Sequence, residues 1–292
     1  MAEKIKENLS IILIVVIFVI GAMVFVYPSV ANWLYEKNGS KAIMEHNDKI
    51  EKMTPEEISS ERKAVIRYNK SLVDNAVVLT DPFDPDAFPI TDGRYDELLA
   101  DDEIMGYVEI PCIDVKLQIF HGTSDEVLEK GAGHLENTSL PMGGKDTHTV
   151  ISAHSGFPTA RLFTDLSAVK KGDIFRIYVL DEVLTYEVYK IDTVKPENTS
   201  SLMIEKGRDL ATLVTCTPYG KNTHRLLVHG TRTKTVFADD AKGKSKSSIM
   251  EWERIATIAA TIIALIFVII ILLSLLRRLR RKLERRREWR NH

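Results

Sequence analysis

Two long apolar runs, neither containing a charge, bracket this chain and constrain everything between them. Leu9–Val26 is centred on IILIVVIFVIGAMVFV, and Ile255–Leu276 is 22 residues long. About 20 apolar residues in a helix span the hydrocarbon of a bilayer. The second run therefore reads as a transmembrane helix. The first is either a membrane anchor or a signal peptide, and Ser29-Val30-Ala31 offers small residues for a cleavage point. We take it as a retained anchor. From Arg277 onward, nine Lys or Arg stand against Glu284 and Glu288, a net of +7, so the other residues sum to −9 within a total of −2. Arginine directly after a membrane span marks the cytoplasmic side. With two spans, both ends lie inside and Tyr27–Arg254 faces outward. The basic tail reads as a topology anchor on anionic lipid. Nothing beside it reads as a nucleic-acid fold.

The exported part changes texture along its length. Tyr35 to Leu79 is charged, with Ile58, Val65 and Leu72 at helical spacing and Ile66 and Val73 beside them. Thr54-Pro55-Glu56-Glu57 is a helix start, with Thr54 as cap and Pro55 at the first helical position. Thr80 to Ile90, TDPFDPDAFPI, holds three prolines and three aspartates and reads as a loop. Its Phe83 and Phe88 are unusual in a solvated linker; they either dock on the domain or mark a contact surface. From Ile104, the stretches MGYVEIP, DVKLQIF, HTVISAH, DIFRIYVL, LTYEVYKIDTV, LATLVTC and RLLVHGTR are short, β-branched and separated by turn formers. Many short strands with turns between them predict a mainly β fold, closed or nearly closed into a barrel. The layout is then 1–30 anchor, 31–79 helical, 80–90 loop, 91–236 barrel, 237–254 linker, 255–276 membrane helix and 277–292 basic tail.

Within the barrel, ATLVTCTPYGKNTHRLLVHGT reads as a hairpin, Ala211–Cys216 and Arg225–His229, with Pro218, Gly220 and Asn222 in the turn. Such a hairpin brings the Cys216 thiol and the Arg225 guanidinium to the same end of neighbouring strands. A thiol needs a lowered pKa or an adjacent base to act as a nucleophile, and acyl transfer also needs a proton donor and an oxyanion partner. His154 ends the run THTVISA ahead of the turn Ser155-Gly156-Phe157-Pro158, a strand end where side chains reach the barrel rim. His224 competes, but strand alternation points it away from Arg225. No metal pattern is present: no HExxH, no CxxC, and no zinc-like pairing of histidines. The two cysteines, Cys112 and Cys216, leave open either a disulfide or a core thiol plus a free one.

Taken together, TLVTCTPYGKNTHRLLVHG and SAHSGFPTARLFTDL closely resemble the active-site signatures of sortases, the Gram-positive cysteine transpeptidases. The resemblance runs over about Ile104 to Arg232, with the motifs in the family's order. It implies a closed barrel of about eight strands, with Cys216 as nucleophile, His154 as proton donor and Arg225 either holding the developing oxyanion or orienting the signal's backbone. The Pro-Tyr-Gly-x-Asn-Thr-His-Arg and Phe-Pro-Thr-Ala-x-Leu-Phe forms look like class C, whose members polymerise pilins. That class carries a lid with Asp-Pro before an aromatic residue, matched by Asp81-Pro82-Phe83, and a second membrane helix after the barrel. The resemblance implies Asp81–Arg225 and Phe83–Cys216 contacts. It also implies cleavage of an LPxTG-like signal between Thr and Gly and transfer of the acyl group to a pilin lysine. No cofactor is implied, and the setting is the cell membrane of a Gram-positive bacterium. The rival readings are a housekeeping sortase using a cell-wall precursor, a cysteine protease using water, and an inert membrane-tethered binding module.

Overall fold

The computed structural model describes residues 2–74, 78–84, 94–100 and 103–235, with Ile263, Phe267, Ile270, Ile271 and Ser274 beyond them. The chain divides into two compact units, residues 1–31 with 247–292, and residues 32–246. In the first unit, α1 (Ala2–Lys52) begins, and it is the one described helix long and apolar enough to cross a membrane. Of the second apolar run, the five isolated residues named above are helical. The rest of it, and the basic tail, lie outside the described residues.

In the second unit, α2 (Pro55–Asp74) starts where its capping residues dictate. The Thr54 N–H donates to Glu57 Oε2 at 2.8 Å, and the Glu57 N–H donates to Thr54 Oγ1 at 3.3 Å. This reciprocal box satisfies donors that the first turn would otherwise leave unpaired. The buried face of α2 is Val65, Tyr68, Asn69 and Leu72. Ile66 and Val73, grouped with that face by sequence, are 49% and 47% exposed instead. Each lies one residue, about 100° of helix, past a buried neighbour, and Tyr68 fills the stripe in their place. At the other end of the contact, Arg62 pairs with Asp181 at 2.6 Å and Glu182 at 2.8 Å.

Eight strands close into a barrel in the order β1-β2-β3-β4-β7-β8-β6-β5. They are β1 (Ile104–Ile110), β2 (Val115–His121), β3 (Ala132–His134), β4 (Thr147–Ser152), β5 (Ile174–Val179), β6 (Glu182–Val194), β7 (Asp209–Thr217) and β8 (His224–Arg232). The pairings β2/β3 and β4/β7 are parallel, and the others are antiparallel. Seven of the eight correspond to strand-like stretches in the sequence. The eighth, β3, has only Ala-Gly-His, preceded by the six-residue α3 (Asp125–Lys130), and is too short to carry a periodic signal. Its middle residue must be glycine: a Cβ on Gly133 would stand 2.2 Å from the Gly122 carbonyl oxygen.

The strands β4, β7 and β8 are covered on both faces. Ile151, Leu213 and Val228 belong to the barrel core, while Val150, Val214 and Leu227 point outward. The outward set joins Leu135 and Leu202 in a second apolar cluster, against which Leu79, Phe83 and Val194 pack. Burial on both faces explains why apolar residues stand at consecutive positions, Val150-Ile151, Leu213-Val214 and Leu227-Val228, where a one-sided strand would alternate.

Asn69 ties α2 to the barrel as a backbone mimic. Its Nδ2 donates to the Leu140 carbonyl at 2.9 Å, and its Oδ1 accepts from the Leu140 N–H at 2.8 Å. Replacing Asn69 by Ala strands both buried backbone groups and is expected to destabilise the fold by about 2 kcal/mol. Urea unfolding of the full chain in micelles measures this; a loss below about 0.5 kcal/mol would mean water satisfies both groups.

Candidate active site

The register of β7 and β8 sets Cys216 directly opposite Arg225. Directly opposed residues of an antiparallel pair share one face, so thiol and guanidinium leave the sheet together. Thr217 opposes His224 one step further on. By alternation, the His224 side chain belongs to the other face. Its ring meets the Thr223 hydroxyl at 2.9 Å. Cys216 follows Thr212 and Val214 on the outward face of β7, at the strand end.

His154 arrives from β4. Ser152 is registered with Val214, and beyond it the Ala153 N–H donates to the Val214 carbonyl at 3.1 Å. The Thr215 hydroxyl donates to the Ala153 carbonyl at 2.7 Å. The residues that follow these two tied positions are His154 and Cys216, so imidazole and thiol emerge from adjacent strand ends. The turn after His154 is held by the Phe163 N–H on the His154 carbonyl at 3.0 Å. A second bond runs from the Gly156 N–H to Thr164 Oγ1 at 2.9 Å. Gly156 has φ +75°, a conformation that favours glycine, and a Cβ there would stand 2.9 Å from the Tyr219 ring.

Residues 78–84 lie across these groups. Arg225 Nε donates to Asp81 Oδ1 at 2.7 Å and Arg225 Nη2 to Asp81 Oδ2 at 2.5 Å, a two-pronged pair whose side chains are each 10% exposed. Arg225 Nη1 donates to the Asn222 and His224 carbonyls at 3.0 and 3.2 Å. All three nitrogens of the guanidinium are thus engaged. Pro82 is buried. The Phe83 ring stands 5.1 Å from the Arg225 guanidinium carbon and 5.7 Å from the His154 ring, which itself stacks on Phe157 at 5.6 Å. Phe83 therefore touches the imidazole and the guanidinium and packs into the outer apolar cluster. Leu79 secures the segment's near end by accepting from the Thr199 hydroxyl at 3.3 Å.

This cover sets the electrostatics. Burial raises the Cys216 thiol above its ordinary value of 9.0; the Arg225 guanidinium pulls it down, and the Asp81 carboxylate pushes it up again. Burial holds the His154 imidazole below 6.5, against the opposing pull of Asp125 and Glu129. Near neutral pH, the neutral thiol and neutral imidazole are therefore the dominant pair. Both cysteines are free. Cys112 is half-buried, its thiol pushed up to about 12 by burial and by Asp173. Among the described residues, no group of three or more His, Cys, Asp or Glu is placed to hold a metal ion.

Three comparisons with known proteins bear on this arrangement. The family profile described as Sortase domain matches residues 108–233. Sortase A of Streptococcus agalactiae is 33% identical over 137 residues, which cover 45% of this chain and 54% of that protein. Sortase A of Staphylococcus aureus is 26% identical over 225 residues, 76% of this chain and 92% of that one. Among solved structures, sortase C of Streptococcus pneumoniae matches with a TM-score of 0.63 and 44% identity over 67% of this chain and 97% of its own. Sortase C-1 of Actinomyces oris matches with a TM-score of 0.59 and 45% identity, over 62% of this chain and 100% of its own. The chain belongs to the sortase family and falls with its class C members.

Proposed function

We propose that this protein is a membrane-anchored pilin polymerase. In this reading it cleaves an LPxTG-like sorting signal between Thr and Gly and joins the acyl group to a lysine amine of another pilin subunit. The observation that carries the reading is the two-pronged Asp81–Arg225 pair beside Cys216. It supports a covered cysteine site in a chain that matches almost the whole length of a pneumococcal sortase C described in terms of pilin substrate specificity. A related match is a pilus-related sortase C of group B Streptococcus, 46% identical.

The chemistry is two-step acyl transfer. Cys216 as thiolate attacks the Thr carbonyl carbon, and Arg225 donors stabilise the oxyanion that forms. Collapse of that intermediate breaks the Thr–Gly bond as imidazolium His154 gives its proton to the departing glycine amine, leaving a thioester. A lysine ε-amine then attacks the thioester and surrenders a proton to neutral His154. The Cys216 thiolate departs, and an isopeptide bond remains. A planar guanidinium suits this work because its fork presents two parallel donors. Those donors are held by Asp81 in the covered state, so substrate entry requires Asp81 to let go.

Placement follows from the same reading. The N-terminal helix anchors the chain, the barrel faces outward, and the arginine-rich tail stays on the cytoplasmic side against anionic lipid.

Two measurements follow. In a strain lacking other sortases, Cys216→Ala is expected to abolish covalent pilin ladders; retained ladders would refute the assignment. In the full chain, Asp81→Ala removes the carboxylate that raises the Cys216 thiol and frees the segment that buries it. The pH midpoint for alkylation of Cys216 should move down, with labelling at pH 7 about tenfold faster for each pKa unit by which the thiol falls. An unchanged midpoint and rate would mean that residues 80–90 act only as a linker.

A further inference from the structure

Four residues before Cys216, on the same outward face of β7, the Thr212 hydroxyl lies between two buried imidazoles. Thr212 Oγ1 stands 2.7 Å from His148 Nε2 and 2.8 Å from His229 Nδ1. His148 is on β4, Thr212 on β7 and His229 on β8. His154, Cys216 and Arg225 each lie within two residues of an end of those strands. A single hydroxyl thus spans the three strands that carry the three candidate groups.

Its proton order is fixed. A hydroxyl has one proton, so Thr212 donates to one ring and accepts from the other. His148 Nδ1 lies 2.8 Å from the Met203 carbonyl oxygen, which only accepts, so that nitrogen carries the ring's proton. Burial lowers both imidazoles, His229 to about 4, and near pH 7 each ring holds one N–H. His148 Nε2 is then a bare lone pair. The Thr212 O–H donates to it, and the Thr212 oxygen accepts from His229 Nδ1–H. His229 Nε2 must also be bare. That nitrogen makes no hydrogen bond; the Asp192 carboxylate 3.5 Å away favours a proton there, but it is already bound by Lys190 Nζ at 2.5 Å, and the order is set by the single Thr212 proton.

We propose that Thr212 is a positioning residue, the centre of a one-directional His–Thr–His clasp that sets where Cys216 stands relative to His154 and Arg225. The proposal rests on the reading of those three as the catalytic set. Backbone ladders fix register but leave interstrand twist soft, with a natural spread of about −10 to −35°. Four residues of strand are about 13 Å, so a 5° change in twist carries the strand end about 1 Å. Misplacement on the order of 1 Å costs on the order of 10²-fold in rate. A side-chain clasp across all three strands, on the face where the thiol emerges, removes that freedom.

The test uses the full chain in micelles, an LPxTG-like peptide with a primary amine, and rates expressed per titratable Cys216 thiol. Thr212→Val keeps the shape and removes the hydroxyl; kcat per thiol should fall by between about ten- and a hundredfold at unchanged KM. Thr212→Ser should restore the rate to within about threefold, since it returns the hydroxyl. If Thr212→Val lowers only the amount of titratable thiol and each remaining thiol turns over normally, the clasp is purely structural and the proposal fails. Independently, ¹⁵N NMR of the histidines should show Nδ1–H tautomers at both His148 and His229. An Nε2–H tautomer at either overturns the proton order. Retained turnover in Cys216→Ala would sink the catalytic reading instead, and the NMR result separates that outcome from failure of the clasp.

Discussion

Everything at the site depends on one register. Because β7 and β8 pair Cys216 with Arg225, thiol and guanidinium share a face and a strand end. A slip of one residue would turn one of them to the opposite face. The slip is prevented by what the other positions bury. Leu213 and Val228 belong inside the barrel, and Val214 and Leu227 belong under the outer cover, so each alternative register exposes or crowds an apolar set. Placement of the chemistry is thus a by-product of packing on both faces of three strands.

The same two-sided burial explains the electrostatics of the covered state. A guanidinium with little solvent has to be paired, and Asp81 supplies both of its oxygens at once. The pairing brings Phe83 down on His154 and Arg225, and the resulting exclusion of water moves thiol and imidazole away from their charged forms. Cover and the neutral state of both groups are therefore one arrangement. Removing the carboxylate acts twice on the thiol, by taking away a negative charge and by loosening the segment that keeps water out.

Much of this was legible in the sequence, and the remainder has identifiable reasons. Seven strands announced themselves through β-branched runs, and the start of α2 through a capping box whose reciprocal bonds are present. The hairpin turn residues place Cys216 and Arg225 at matching strand ends. β3 escaped because three residues carry no period and its pairing is set by distant strands. Ile66 and Val73 were grouped with the buried face of α2 because spacing alone does not say which edge of an apolar stripe meets the barrel. Phe83 was assigned to the thiol by resemblance; its recorded ring contacts are with His154 and Arg225. His148, Thr212 and His229 stood in the sequence as isolated polar residues. Only the strand order, with β7 between β4 and β8, brings them to a single hydroxyl.

The central claim is that the Cys216 thiol passes an acyl group to an amine rather than to water. Mass spectrometry of the full chain with an LPxTG-like peptide and a lysine-bearing acceptor tests it directly. The account predicts a thioester adduct located on Cys216 and a product carrying an amide to the acceptor's ε-amine, with both lost when Cys216 is replaced. An acid product alone would mark a protease, and an adduct on another residue, or none at all, would contradict the account.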